Sequence, residues 1–181
     1  MKIKSSKIKY NEEVIPKMKD KFGYENDLAV PQVEKIIVNT GVGKFNSERD
    51  RIEEMIKDFQ FITGQKPVKT KARKAISGFK IRENMEIGIK TTLRGKRMWD
   101  FMDRLINAAL PRMRDFQGVS SNSVDKNGNL NIGIKEHIIF PEIFSEKVRN
   151  IFSLQITLVT AAKDKKEGLE LFKLLGFPMV L

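Results

Sequence analysis

The sequence predicts an α+β fold, a mainly antiparallel sheet partly wrapped by helices, and three observations lead there. Strand-like and helical stretches alternate along 181 residues with short connections between them. The strand-like stretches alternate apolar and polar residues, which leaves each with one buried face. Hydrophobic residues make up 40% of the chain, enough to fill a core. With no internal repeat and no low-complexity segment, residues 1–181 read as a single domain.

The elements follow in order. Asn11 to Phe22, closed by Gly23, predicts a first helix. After Pro31, "QVEKIIVNTGVG" places Val33, Ile36, Ile37 and Val38 in a strand that ends at Gly41 and Gly43. Ser47 is a candidate cap, with Asp50 three residues on, for a helix in which Ile52, Met55, Ile56, Phe59 and Ile62 recur at helical spacing until Gly64. Pro67 to Thr70 and Glu86 to Leu93 read as two strands. Trp99, Phe101, Met102, Leu105, Ile106, Ala109 and Leu110 outline a helix ended by Pro111. "NLNIGIKE", after the turn "KNGN", and "SLQITLVTAA" are two further strands, and "KDKKEGLELFKLLGF" is a helix closed by Gly176 and Pro178. Phe59, Phe61, Trp99 and Phe101 fall on helical periods and are read as core.

Between the two middle strands lies a long basic loop, residues 72–84, whose large apolar side chains are Ile76, Phe79 and Ile81. A loop of this length with Gly78 inside it is expected to project rather than pack. The charge of the chain concentrates here. The whole sequence has 34 Lys+Arg against 23 Asp+Glu, a net +11, and residues 64–97 hold eleven basic residues against Glu83 and Glu86, a net +9. Such a local field draws polyanions, and a sequence pI of about 9.8 is the footprint of a nucleic-acid binder. A solvated loop is the plainer alternative for a basic run of this size.

Several chemistries are disfavoured. There is no cysteine, so neither a disulfide framework nor a thiolate metal site is available. The first residues lack the apolar core of a signal peptide, and no window holds 18 uninterrupted apolar residues, so the chain reads as cytoplasmic with no membrane partner. "VNTGVGKFNSERD" imitates a phosphate-cradling loop, yet Val38 stands where the first glycine should be and Phe45 where the hydroxyl should be. His137 is the sole histidine and is expected at a sheet edge or in a loop. Glu53 with Glu54, and Asp100 with Asp103, sit beside Lys or Arg on helix faces, where solvated ion pairs explain them better than acid–base catalysis.

"VPQVEKIIVNTGVG", "ITGQKPVKTKARKAISGFKIREN", "IGIKTTLRGKRMWDFMDRLINAALPRMRDFQG", "GIKEHIIFPEI" and "ITLVTAAKDKKEGLELFKLLGFP" together resemble the bacterial-type ribosomal protein L5 family, from about Glu12 to Pro178. The stretch after Phe140, "PEIFSEKVRNIFSLQI", departs from the family pattern, which has an acidic residue after "PEI" and a longer, glycine-bearing link. The resemblance implies a structural constituent of the large ribosomal subunit, neither an enzyme nor a cofactor binder. It implies that 5S rRNA is bound by Asn39, Gln65, Lys66 and Thr92 and is thereby attached in the central protuberance. Lys71, Arg73, Lys74, Lys80 and Arg82 would form a flexible finger that meets P-site tRNA. Arg112, Arg114, Glu136 and His137 would form an intersubunit bridge to a small-subunit head protein. Partners implied are also 23S-type rRNA and neighbouring large-subunit proteins. A free-standing RNA chaperone would share the charge without the fixed protein partners, and a nucleotide-dependent enzyme would have to bind ATP through "TGVGK".

Overall fold

The computed structural model describes residues 4–45, 48–114, 116–143 and 150–180. Five strands, β1 (Val33–Gly41), β2 (Val68–Lys71), β3 (Glu86–Leu93), β5 (Leu130–Ile134) and β6 (Leu154–Thr160), form an antiparallel sheet in the order β2-β3-β1-β6-β5. Helices accompany it, as the α+β reading expects. Among the described residues no helix is long and apolar enough to cross a membrane, and no group of three potential ligands could hold a metal ion. The chain divides into two compact units. One takes the chain up to Ile36, Arg94–Ile132 and the chain from Thr157; the other takes Ile37–Leu93 and Gly133–Ile156.

In the first unit the opening helix begins earlier than its sequence suggests, as α1 (Ser6–Lys9), a π turn (Tyr10–Val14) and α2 (Ile15–Phe22). Its start depends on a distant residue. Asp103 accepts hydrogen bonds from the Ser6 backbone N–H at 2.7 Å and from the hydroxyls of Ser5 and Ser6. A carboxylate at a helix N-terminus satisfies donors the helix cannot. Asp103 is therefore a cap, not the solvated ion-pair residue its neighbours implied. Gly23 closes α2 at φ 73°, as expected.

The second long helix behaves likewise: α4 (Gly95–Arg104), a π turn (Leu105–Ala109) and α5 (Leu110–Arg112) run on through Pro111, the residue expected to end it. A proline lacks the N–H for an α bond and crowds the carbonyl four residues back. Both π turns lie just ahead of a proline, Pro16 and Pro111, and their wider hydrogen-bond register absorbs the missing donor. The helix α6 (Lys165–Leu175) starts on the Asp164 carboxylate, which accepts from Glu167 N at 2.8 Å, and ends at Gly176 in the left-handed region. A short parallel pair, β4 (Val119–Ser120) with β7 (Met179–Val180), is an addition to the elements expected from the sequence.

One contact in this unit leaves no room for a side chain. In the "KNGN" turn the Asp125 carboxylate accepts from Asn127 N and Asn129 N at 2.9 and 2.8 Å. Gly128 sits there at φ 74°, and its carbonyl accepts from the Thr160 hydroxyl at 2.9 Å. Gly168 of α6 lies against this turn so closely that a Cβ on it would come within 2.5 Å of Gly128 Cα.

In the second unit α3 (Arg49–Thr63) packs on β3. Its Ile52, Met55, Phe59 and Ile62 are buried, as are Val38 of β1 and Ile89 and Leu93 of β3, all at most 6% exposed. Ile56 is only partly covered, and Phe61, read as core, is 66% exposed. It lies off the helical stripe that the buried four define. Ser47, the candidate cap, lies outside the described residues; the capping position is Glu48, whose side chain makes no capping bond.

His137 lies outside the strands, in a 3-10 turn (His137–Ile139) between β5 and β6, as a loop residue was expected to, but its side chain is fully buried. Its ring stacks on Phe152 at 3.9 Å between centroids, and its Nδ1 accepts from Phe152 N at 3.4 Å. Burial pushes the imidazole down to about 4 from an ordinary 6.5. The unfolded chain takes up this proton below 6.5 and the folded chain only below about 4, so this residue makes stability rise with pH across that window. Between pH 7 and pH 5 the wild type is expected to lose about 2 kcal/mol more unfolding free energy than His137→Asn, which keeps an acceptor near Phe152 N. Urea melts of both proteins at each pH check this, and parallel pH dependences would refute it.

Candidate nucleic-acid interface

Alternation along the strands of the second unit separates an inner face from an outer one. On β1, Val38 and Thr40 are buried, so Asn39 between them is directed to the opposite face, where it is half-buried. On β3, Ile89, Thr91 and Leu93 face inward and Lys90 and Thr92 outward. The register pairs Val68 with Lys90 and Thr70 with Gly88, which adds Val68 and Thr70 of β2 to the outer face. Gly88 is needed there. A Cβ on it would meet the Thr70 hydroxyl at 2.5 Å, so the glycine lets that side chain lie across the strand.

Gln65 follows the glycine that ends α3 and reaches β3, where its Nε2 donates to the Thr92 carbonyl at 3.5 Å. The Thr63 hydroxyl in turn donates to the Gln65 carbonyl at 3.0 Å. The junction from α3 to β2 is thus tied to the strand that carries Thr92. The structure brings Gln65 and Thr92 together and places Asn39 on the neighbouring strand of the same sheet. Lys66 is exposed beside them. The result is a surface of short neutral hydrogen-bonding side chains with lysines around it. Neutral groups of this size can satisfy base edges, phosphates and 2′-hydroxyls one at a time, while the lysines attract without selecting.

Backbone pairing crosses the basic loop at its base and near its tip. At its base Ala72 N donates to Met85 O at 2.8 Å and Asn84 N to Ala72 O at 3.0 Å. Near its tip Ile76 and Ile81 exchange both backbone bonds, at 2.9 and 3.1 Å. Lys71, Arg73, Lys74, Lys80 and Arg82 are all exposed, and among the described residues no ion pair joins them to an acid. Lys69 differs, because Glu86 holds it at 2.8 Å.

The four expected bridge residues are not alike. Arg112 and Arg114 are exposed at the end of α5 in the first unit, and Glu136 is half-buried in the second. His137 corrects the expectation: with no exposed surface it cannot itself touch another subunit. Part of the departing segment, residues 144–149, lies outside the described residues. Sequence reasoning passed over Phe79 as a site residue. A large aromatic between Gly78 and Lys80 in a run of cations was the available signal.

Comparison with known proteins adds an independent line. A family model described as ribosomal protein L5 matches residues 26–82, and one described as the C-terminus of the same ribosomal family matches residues 86–179. The chain is 53% identical over 169 residues to the large ribosomal subunit protein uL5 of Halothermothrix orenii, covering 93% of this chain and 94% of the relative. It is 51% identical over 169 residues to the protein of the same name from Syntrophomonas wolfei, covering 93% and 95%. Its identity to that from Dictyoglomus thermophilum is 51% over 172 residues, covering 95% and 96%.

Proposed function

The chain belongs to the ribosomal protein L5 family, a structural constituent of the large ribosomal subunit and not an enzyme, and from that premise we propose that its outer sheet face binds 5S rRNA. Its place is the ribosome, in the cytoplasm, among rRNA and other ribosomal proteins. The observation that carries the proposal is the convergence of Asn39, Gln65 and Thr92 on one sheet, bordered by exposed Lys66 and Lys90. Through this surface the protein helps attach 5S rRNA in the central protuberance, with 23S-type rRNA and neighbouring proteins completing the site. The exposed cations of the loop, Lys71, Arg73, Lys74, Lys80 and Arg82, meet the backbone of P-site tRNA. Phosphate contacts suit a partner that changes sequence at every round, because they carry no sequence information. Arg112, Arg114 and Glu136 supply side chains to the bridge with the small-subunit head.

Asn39→Ala is expected to weaken 5S rRNA binding by about 1 to 3 kcal/mol, because RNA groups that it pairs are left unsatisfied on burial. The slope of log K against log[salt] should stay unchanged, since no charge is removed. Gln65→Ala should act in the same direction, but the bond to the Thr92 carbonyl makes its effect part structural, so its melting temperature must be read beside its affinity. A normally folded Asn39→Ala protein that binds 5S rRNA as tightly as the wild type would remove Asn39 from the interface.

A further inference from the structure

The tip of the basic loop carries an apolar group that phosphate binding does not call for. Phe79 is 76% exposed and Ile76 48%. The ring does not hold the turn together; the backbone does. Besides the two bonds between Ile76 and Ile81, Phe79 N donates to Ile76 O at 3.3 Å and Lys80 N to Ser77 O at 3.0 Å. Lys80 completes the turn in the left-handed region at φ 53°, a conformation uncommon outside glycine. Gly78 has open space where a side chain would be. Arg73, Lys74, Lys80 and Arg82 of the same loop are exposed as well. An exposed aromatic on a backbone-closed turn in a run of cations is a combination by which proteins hold unpaired nucleotides, the cations tracking phosphate and the ring stacking on a base.

We propose that Phe79 is a stacking platform for an unpaired nucleobase of the RNA that the loop meets. The inference rests on the loop being the tRNA contact, and it divides the work there. Charges bring the RNA to the loop, and the ring sets how long it stays. A turn already closed by its own backbone loses little freedom on binding, so the stacking contact is retained in the affinity. An apolar pocket on a protein is the competing occupant, and the surrounding positive charge favours RNA over it.

The test uses whole ribosomes carrying Phe79→Ala, Phe79→Leu or Phe79→Tyr, or a variant with the five loop cations replaced by Gln, each checked for normal 5S rRNA content. P-site tRNA dissociation is timed over a salt series. Phe79→Ala should release tRNA about tenfold faster at every salt, because stacking is not screened. Phe79→Tyr should restore the rate to within about twofold, and Phe79→Leu should stay near the alanine rate. The charge variant's effect should instead change with salt. If the charge variant releases tRNA faster while Phe79→Ala behaves as wild type, the stacking inference falls and the tRNA reading stands. If neither variant changes release, the tRNA reading falls and takes this inference with it. If leucine restores the rate as well as tyrosine, the contact is general apolar packing, as a protein pocket would give, and the stacking proposal is wrong.

Discussion

Raising monovalent salt from about 50 to about 200 mM is expected to weaken binding of 5S rRNA to the isolated protein about a thousandfold. The reasoning starts from the window of residues 64–97. Besides the five cations assigned to the tRNA contact, it holds six exposed ones, Lys66, Lys69, Lys90, Arg94, Lys96 and Arg97. Each phosphate neutralised releases condensed counterions, so about six contacts give a slope near −5 in log K against log[salt], or about three decades over a fourfold change. The Lys69–Glu86 pair tempers this, because a lysine already held by a carboxylate at 2.8 Å releases less on meeting phosphate. An unrelated RNA of equal length should show a similar slope from a weaker starting affinity, since the slope counts charges and the offset reports the neutral face around Asn39. Filter binding or fluorescence anisotropy over a salt series provides both quantities. A flat slope, or equal affinity for the two RNAs at one salt, would contradict the interface.

Gly168→Ala should destabilise the protein by about 3 kcal/mol or more, although alanine is the better helix former by about 1 kcal/mol. Two terms of opposite sign compete, and distance decides between them. The new methyl would lie 2.5 Å from Gly128 Cα and 2.6 Å from Gly128 O, and backbone cannot swing aside as a flexible side chain can. Relief requires the turn and α6 to separate, which endangers the bond from the Thr160 hydroxyl to Gly128 O. For a chain of this length the loss corresponds to a melting temperature lower by about 6 to 12 °C. Gly133→Ala is the control, since nothing lies within 4 Å of its added Cβ. Thermal melts with Gly168→Ala at or above the wild-type midpoint would show that the turn yields to the added methyl and would refute this expectation.

Much of this architecture could be read from the residues, because period and punctuation are local properties. β3 begins at Glu86 and ends at Leu93 as its β-branched run implied, and Gly23, Gly64 and Gly176 close the helices they were expected to close. What escaped was set by distant partners. The first helix starts at Ser6 because Asp103, nearly a hundred positions away, supplies its cap. His137, between Lys135–Glu136 and Ile138–Ile139, carried no decisive local sign of burial; it is buried because the Phe152 ring, far along the chain, comes to lie on it. Phe61 failed for the opposite reason: being aromatic does not place a residue on the buried stripe. At the interface the motif resemblance supplied Asn39, Gln65 and Thr92, and alternation then put Asn39 and Thr92 on the outward side of their strands. The order in the basic loop depends on pairings across it, which composition does not encode.

The two π turns have a geometric consequence for the core. Residues four apart on an α-helix advance about 400°, so each such step drifts about 40° around the axis and two steps drift about 80°. Yet Tyr10, Val14 and Met18 are all buried, and so are Phe101, Leu105 and Ala109. A turn closed five residues apart holds more residues than an α turn and cancels part of that drift. In these helices the apolar repeat is therefore nearer four than 3.6, and Pro16 and Pro111, by denying the α bond, hold the longer repeat in place. Replacing either proline with alanine would make the tighter winding available again, and the angular phase between the side chains before and after the turn would become free to slip.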